Sequence, residues 1–199
     1  MLALLAAASI VTALDAERAF AADAQKIGQW TAFTKWSADD ALMFVPQPIN
    51  AHQFLKDRKD PPVAVFWWPT KSFVSCDGAT AINSGPWVRD GGRSVGYFTT
   101  VWKRQPDGSW KWVYDGGDGL KAISAEGKEA AIRTASCSGT PRPDSGDEPN
   151  PGHGKGFSSD GTLAYQWSVA GDGSREFKAL LFNGTDYEVV LEQKVAAPK

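Results

Sequence analysis

The sequence of 199 residues predicts an α+β domain whose amino-terminal helices pack on a curved antiparallel sheet. Three observations support this class. Apolar residues recur at three- and four-residue steps between positions 14 and 36, as in amphipathic helices. From residue 63 onward, apolar or alternating runs are separated by turns rich in glycine, proline and aspartate, as in antiparallel strands. A hairpin rich in aromatic residues, 96–117, lies at the centre of this second part.

The amino-terminal part predicts helices with one short strand between them. The first helical stripe consists of Leu14, Glu17, Phe20, Ala24 and Ile27. Gly28 can end that helix, and the segment 37–40 breaks the next one. The predicted elements here are helices at 14–27, 29–36 and 51–59, and a strand at 41–45.

Strands dominate the rest of the chain. The predicted strands are 63–68, 71–75, 80–88 and the hairpin 96–117, followed by a carboxy-terminal three-stranded meander at 163–169, 177–181 and 187–191. Between them, the segment 118–133 is ambiguous, with a helix at 125–132 as one alternative. The segment 141–156 is rich in proline and glycine and predicts a mobile loop. We expect the meander to extend or cap the main sheet, because three strands alone need a partner surface.

The hairpin 96–117 turns at Pro106 and Gly108, which favour the backbone angles of a short hairpin loop. Strict alternation predicts that Phe98, Thr100 and Trp102 share one face, and that Trp110, Trp112 and Tyr114 lie opposite Lys111, Val113 and Asp115. Both faces carry aromatic rings, so neither is expected to be simply solvated. A sheet that is covered by helices and encloses a pocket for a small molecule would use such strands.

Composition limits the class of function. The net charge is only −2 and no basic block occurs, so the sequence shows no nucleic-acid footprint. The hydrophobic content of 42% suits one globular core. Nine tryptophans and ten phenylalanines either fill that core or line an aromatic pocket, and the sequence leaves both interpretations open.

Residues 2–13 form an uncharged apolar run that is too short to span a bilayer. This run predicts a secretory signal segment, 1–13, with cleavage after Ala13; Ala21 ends a second and less favoured cleavage sequence. The basic residues that usually begin such a signal are missing. No other segment is expected to span a membrane. We therefore expect a periplasmic or secreted protein.

The two cysteines, Cys76 and Cys137, lie in loop-like surroundings. In an exported chain they predict a disulfide, which in the chain-entropy treatment stabilises the fold by about 3–5 kcal/mol. Two free thiols are the alternative. The histidines His52 and His153 do not lie in ligand spacing with either cysteine, so we expect no metal site, and we expect no cofactor.

Several short segments carry a family pattern. They are 17–22 (Glu-Arg-Ala-Phe-Ala-Ala), 32–33 (Ala-Phe), 36–46 (Trp-Ser-Ala-Asp-Asp-Ala-Leu-Met-Phe-Val-Pro) and 107–115 (Asp-Gly-Ser-Trp-Lys-Trp-Val-Tyr-Asp). Together they resemble the nuclear-transport-factor-2-like (NTF2-like) superfamily, in its SnoaL-like or DUF4440-like branch, over about half of the chain. The resemblance implies a cone in which three helices close over a bent antiparallel sheet with a pocket inside. It also implies a homodimer through the sheet face.

With this resemblance, the predicted organisation has four parts. They are the signal segment 1–13, an NTF2-like domain 14–117, a connecting segment 118–161 that contains the mobile loop, and a meander extension 162–199 packed on the main sheet. Members of the superfamily include both enzymes and pure binding modules, so the fold does not decide the function.

The resemblance argues against a ketosteroid-isomerase mechanism. In those isomerases a similar Ala-Asp-Asp-Ala motif leads to a carboxylate base just before the proline, where this chain has Val45, which cannot take up a proton. They also use a tyrosine on the first helix, whereas all four tyrosines of this chain come much later. Dehydratase-like relatives use a pocket histidine pair with an acid. Here His52 lies on a predicted outer helix and His153 in the predicted loop.

A few polar side chains remain as candidates for chemistry. Asp115 would act as an acid or base if it faced inward, Asp40 is a second carboxyl, and Tyr114 or Asn83 would polarise a ligand. The predicted ligand-binding residues are Trp36, Phe44, Trp67, Asn83, Trp87, Phe98, Thr100, Trp102 and Trp112.

Three functions follow from these residues. The first is a module that binds a small apolar or aromatic molecule, which the aromatic excess and the missing catalytic residues favour. The second is an enzyme of the lyase, isomerase or hydrolase kind that uses a pocket aspartate. The third is a structural or partner-binding envelope protein whose pocket is filled by side chains. A pocket with a buried, unpaired carboxyl would favour the second, and a solidly packed cone the third.

Overall fold

The computed structural model describes residues 12–123, 127, 129–143 and 152–198. The helices are α1 (Ala13–Ile27), α2 (Gln29–Trp36) and α3 (Ala51–Leu55), with a 3₁₀ turn at Asp90–Gly92. The strands are β1 (Ser37–Phe44), β2 (Pro48–Asn50), β3 (Phe66–Trp67), β4 (Lys71–Val74), β5 (Thr80–Arg89), β6 (Ser94–Arg104), β7 (Trp110–Leu120), β8 (Ala131–Thr134), β9 (His153–Phe157), β10 (Leu163–Val169), β11 (Arg175–Phe182) and β12 (Tyr187–Val195).

The helices α1 and α2 form where the sequence predicts them. Thr12 and Asp15 cap α1 reciprocally: the Thr12 hydroxyl oxygen accepts from the Asp15 N–H at 3.1 Å, and the Asp15 carboxylate accepts from the Thr12 N–H at 3.2 Å. Gly28, with φ of 105°, separates α1 from α2. Most of the predicted signal segment lies outside the described residues, and its last two, Thr12 and Ala13, begin α1.

Two sheets are stacked, and helices cover the outer face of one of them. The large sheet has the strand order β2-β1-β7-β6-β5-β4-β8, with β3 beside β5. Its β1–β7 and β4–β8 pairs are parallel, so the sheet is mixed, although the sequence predicted an antiparallel one. The second sheet has the order β12-β11-β10-β9 and is antiparallel throughout. The α+β class with amino-terminal helices and a carboxy-terminal meander is confirmed.

Each face of the large sheet has its own hydrophobic cluster. On the helix side, Phe20 of α1 packs with Trp102 and Trp112. On the other side, Val101 and Tyr114 belong to a cluster with the inner face of the second sheet. The chain's own second sheet therefore covers that face of the large sheet. The homodimer stays a prediction.

A β-bulge at Val113 changes which side chains of β7 share a face. Trp112 lies opposite Trp102 of β6, but Tyr114 lies opposite Val101, so Val113 is the extra residue. Trp112 consequently faces the helices, whereas Tyr114 faces the second sheet. Strict alternation placed these two side chains together and is wrong here. The same bulge turns Asp115 to the helix side.

Pairing partners explain two corrections in the amino-terminal half and one near residue 130. The segment 37–40 does not break α2 but starts β1, whose ladder runs beside β7. Only Phe66–Trp67 of the predicted strand 63–68 is a strand. The alternative of a helix at 125–132 is wrong at its carboxy-terminal end, where Ala131 begins strand β8. This strand forms because the edge of β4 is free to pair with it in parallel. Residues 124–126 and 128 lie outside the described part.

The predicted mobile loop 141–156 contains part of a strand, β9, which makes the meander four-stranded. Gly154 and Gly156 of β9 lie opposite Trp167 and Tyr165. A Cβ at either glycine would fall within 2.6 Å or 2.4 Å of the facing ring, so the aromatic rings cover the glycines and pack the edge of the sheet. Residues 144–151 of that loop lie outside the described part. The domain boundaries at 117 and 161 stay predictions.

Candidate functional site

A cavity of about 390 Å³ lies between the helices and one end of the large sheet. Five aromatic side chains on the helix side of the sheet line it, those of Trp30, Phe33, Trp67, Trp87 and Phe98. Its polar side chains are those of Gln29, Arg89 and Asp115. The mouth lies near Val63, which lines the cavity and is 71% exposed. Size and lining are those of a site for a small and largely apolar molecule.

Glycines at the end of β7 create the space. Asp115, Gly117 and Gly119 alternate on the helix side after the bulge, and the two glycines contribute no side chain to fill it. A Cβ at Gly117 would fall 2.2 Å from the Tyr97 carbonyl oxygen, so this position requires glycine. A Cβ at Gly119 would meet only the Val95 carbonyl oxygen at 3.9 Å. Gly119 is therefore a position from which the cavity can be filled without strain.

Asp115 is the carboxyl group at the wall of this cavity. It pairs with Thr100 of β6 and Met43 of β1, so it lies at the centre of the sheet. Among the described residues, no donor forms a hydrogen bond or salt bridge with its carboxyl oxygens. Burial raises the pKa of Asp115 well above its usual range, and the nearby carboxyl of Glu17 raises it further. The side chain can therefore bind or release a proton, or accept a charged partner.

Glu17 of α1 lies fully buried behind the cavity and has many partners. Its Oε1 accepts from Trp67 Nε1 at 2.8 Å, and its Oε2 accepts from Trp102 Nε1 at 2.6 Å. Oε2 also accepts from the Thr100 hydroxyl and, at 3.4 Å, from Asn83 Nδ2. Burial raises the pKa of Glu17, while these donors oppose the rise. The carboxyl thus ties the first helix to three strands of the sheet.

The segment 60–65 forms the remaining wall and is held at both ends. Asp60 accepts from the Trp30 N–H at 2.5 Å and from the Thr31 N–H at 3.1 Å, at the start of α2. Its hydrogen bond from the Thr31 hydroxyl keeps the pKa of Asp60 below its usual value. At the other end, Val65 N–H donates to Gln29 Oε1 at 3.0 Å and Val65 O accepts from Gln25. The helices therefore fix the wall that faces the sheet.

Three of the nine predicted ligand-binding residues line the cavity: Trp67, Trp87 and Phe98. Asn83, Thr100, Trp102 and Trp112 face the helices and are buried beneath them, so they do not line the cavity. Trp36, the last residue of α2, packs with its ring 5.8 Å from that of Trp102 and does not line it either. Phe44 lies on the other side, where its ring is 5.1 Å from that of Trp167. These six need correction as lining residues, because most of the tryptophans fill the core. Ligand binding by the other three stays a prediction.

The other candidates for chemistry lie apart from Asp115. Asp40 is exposed on β1, and Tyr114 packs between the sheets with its ring 4.7 Å from that of Phe177. Burial raises the pKa of Tyr114, so this phenol stays protonated. His52 lies 3.0 Å from the Ser37 hydroxyl and His153 lies on β9, both away from the cavity. Asp115 is thus the one predicted catalytic residue that the described structure places at the cavity.

The sequence reasoning missed two features of the site. Glu17 was counted as part of the helical stripe, although a charged residue at an apolar position signals a buried polar contact. The run 116–119, Gly-Gly-Asp-Gly, signals strand positions without side chains, and hence space. The lining by Trp30 and Phe33 had no signal of its own, because it depends on how α2 and the segment 60–65 pack.

Neither a metal-binding cluster nor a membrane-spanning helix is found among the described residues. No group of three or more histidine, cysteine, aspartate or glutamate side chains in this part of the chain is arranged to bind a metal ion. None of the described helices is long and apolar enough to cross a membrane. The cysteines Cys76 and Cys137 form the expected disulfide.

Comparison with known proteins bears on the fold. No family model matches the chain, and no curated protein matches it. Among solved structures, a DUF3225-family protein of unknown function from Pectobacterium atrosepticum is 13% identical, with 58% of this chain and 94% of that chain covered and a TM-score of 0.43. The CaMKII hub of S. rosetta is 21% identical, the match covers 58% of this chain and 100% of the hub chain, and the TM-score is 0.41. An NTF2-like superfamily protein from Salmonella enterica serovar Typhimurium is 16% identical, the match covers 54% of this chain and 89% of that protein, and the TM-score is 0.37.

Three amino-terminal helices, a large sheet and a cavity between them form the arrangement that the resemblance to the NTF2-like superfamily implies. Membership of that superfamily stays a prediction. The second sheet is an addition that occupies the face away from the helices. The SnoaL-like or DUF4440-like branch stays a prediction.

Replacing Asp115 with asparagine is expected to stabilise the fold at neutral pH by about 1 kcal/mol or more, because the amide carries no charge to be desolvated and a tenfold change in proton affinity corresponds to about 1.4 kcal/mol. Because the folded-state pKa of Asp115 is raised, the native protein loses stability as pH rises above the unfolded-state pKa of about 4. The stabilisation by Asp115→Asn should therefore vanish below about pH 3, where Asp115 is protonated in both the folded and the unfolded state. Urea denaturation of both proteins across pH measures this difference. A destabilised Asp115→Asn variant at neutral pH would mean that the carboxyl has a partner.

Proposed function

We propose that this chain is an NTF2-like protein and binds a small apolar or aromatic molecule in the cavity beside Asp115. The observation that carries the proposal is the space of about 390 Å³ lined by five aromatic side chains. Burial of a ring-shaped ligand against such a lining is favoured by area and by the geometry of aromatic pairs. The unpaired carboxyl of Asp115 would orient the ligand, since it is a polar group in a mostly apolar wall.

The cavity argues against the third function inferred from the sequence. An envelope protein of purely structural role was expected to fill the cone with side chains. In this chain Gly117 and Gly119 leave the space open, and the segment 60–65 closes it on the helix side.

A side chain that fills the cavity should weaken the binding of a ligand there. We expect prodan, a neutral aromatic dye, to bind at one site with a Kd of about 100 µM or tighter, from the usual free energy per ligand atom. Replacing Gly119 with phenylalanine should weaken binding at least about tenfold, because the ring occupies the cavity. Dye fluorescence measures both. Gly171→Phe is the matched control, since a Cβ at this turn glycine meets nothing within 4 Å and the turn lies outside the cavity.

The two variants decide the location of the bound dye. Equal weakening by Gly119→Phe and Gly171→Phe would show that the dye binds elsewhere. No saturable binding to the unmodified protein would contradict the proposal itself.

The unpaired carboxyl of Asp115 specifically favours the second function, an enzyme of the lyase, isomerase or hydrolase kind. With its raised pKa, Asp115 would donate a proton to a ligand or accept one from it. Tyr114 would take no part, because it faces the second sheet. The two functions differ in what Asp115→Asn removes: an enzyme would lose turnover and keep ligand affinity, while a binding module has no turnover to lose.

We also propose that the chain is exported to the periplasm or the cell exterior. The disulfide between Cys76 and Cys137 supports an oxidising compartment, where such bonds persist. The apolar run at residues 2–13 supports a signal segment.

A further inference from the structure

We propose that the ligand carries a positively charged ammonium group, held against the Asp115 carboxyl and the faces of the surrounding aromatic rings. This inference rests on the proposed function and adds the chemical class of the ligand. It follows from the charges on the helix side of the sheet, from the rings around the cavity and from the positions of the nearby arginines.

Two carboxyl groups face the interior on the helix side, and no described cation pairs with either. Glu17 accepts four hydrogen bonds, all from neutral donors. Asp115 accepts none from the described residues, and the carboxyl of Glu17 raises the cost of ionising it. Ionising an unpaired carboxyl in this half-buried position is costly, and a bound cation would lower that cost. A cationic ligand can therefore take the place of the proton at this carboxyl.

The aromatic lining suits a cation as well. The face of an indole, phenol or phenyl ring carries negative potential, and quaternary ammonium groups bind in cages of such rings. Trp67, Trp87 and Phe98 line the cavity together with Asp115. An anionic ligand would be repelled by both carboxyls, whereas an organic ammonium ion finds the rings and the charge in one place.

The described cationic side chains near Asp115 do not pair with its carboxyl. On β5, Arg89 at the rim lies against Asp90, with 3.4 Å between Nε and Oδ2. On β11, Arg175 lies behind the large sheet and donates to the Gly117 carbonyl oxygen at 3.1 Å. The remaining titratable side chain at the site, among the described residues, is that of Glu17 of α1. Neither arginine forms a salt bridge with Asp115.

A pair of isosteric probes tests the charge of the ligand. Phenyltrimethylammonium carries a permanent charge, and tert-butylbenzene has the same shape without it. We expect quenching of tryptophan fluorescence to show that the cation binds about tenfold more tightly than the neutral probe at pH 9, and that this preference falls as the pH is lowered and Asp115 becomes protonated. Asp115→Asn should abolish the preference at every pH. Asp186→Asn, which removes one charge from an exposed turn, should leave it unchanged.

The outcomes separate the two proposals. If tert-butylbenzene binds as tightly as the cation at pH 9, the ammonium ligand is excluded while binding in the cavity stands. If both probes fail to bind, both proposals are contradicted. A preference for the cation that survives in Asp115→Asn would assign the effect to the rings alone and overturn the role of the carboxyl.

Discussion

Replacing Glu17 with alanine is expected to destabilise the fold by about 3–5 kcal/mol, because several buried donors lose their acceptor and each unsatisfied buried polar group costs about 1–3 kcal/mol. The carboxyl accepts hydrogen bonds from Trp67, Trp102, Thr100 and Asn83, which lie on three strands. All four donors would lose this acceptor in a space that water does not reach. Urea denaturation followed by far-UV circular dichroism measures the loss.

Two controls separate the network from the helix. Glu17→Gln keeps the size and one acceptor oxygen, so it should cost clearly less than Glu17→Ala. Arg18→Ala removes an exposed neighbour on α1, and we expect a change within about 0.5 kcal/mol. A Glu17→Ala variant within about 1 kcal/mol of the unmodified protein would show that the four donors find other partners.

Loss of the disulfide is expected to cost about 4 kcal/mol, because the bond closes a long loop with a sequence separation of 61 residues. It also lies where the two sheets meet: the Cys76 N–H donates to the Thr162 hydroxyl at 2.8 Å, and Ser136 N–H donates to Phe182 O at 2.8 Å. The large sheet and the second sheet should therefore separate more easily without it. Urea denaturation with and without reductant measures the change.

The matched control is the double variant Cys76→Ala with Cys137→Ala. Its stability should equal that of the reduced protein and should not respond to reductant. If reductant leaves the unmodified protein unchanged while free thiols appear, the bond does not contribute to stability.

Local signals predicted much of the fold. The glycine at position 28 and the three- to four-residue spacing of apolar residues predicted α1 and α2. The Pro-Asp-Gly turn defined the central hairpin, and the two cysteines predicted their own pairing. These features depend on neighbours in the sequence, which is why they could be predicted.

Features that depend on distant contacts could not be predicted. The bulge at Val113 turns Tyr114 to the second sheet and Asp115 to the helices. The alternation of residues along β7 does not reveal this bulge. Strand β8 forms because the edge of β4 is available, and β9 because aromatic rings cover its glycines. For the same reason, most predicted ligand-binding tryptophans proved to be core residues, while the walls of the cavity came from α2 and the segment 60–65.

The most direct test of ligand binding in this cavity is ¹⁹F NMR of protein labelled with 5-fluorotryptophan, titrated with phenyltrimethylammonium. Our account predicts that the resonances of Trp30, Trp67 and Trp87, which line the cavity, shift with increasing ligand. The resonance of Trp167, which packs between the two sheets, should not move. A shift confined to Trp167, or no shift at any indole at saturating ligand, would contradict a binding site between the helices and the large sheet.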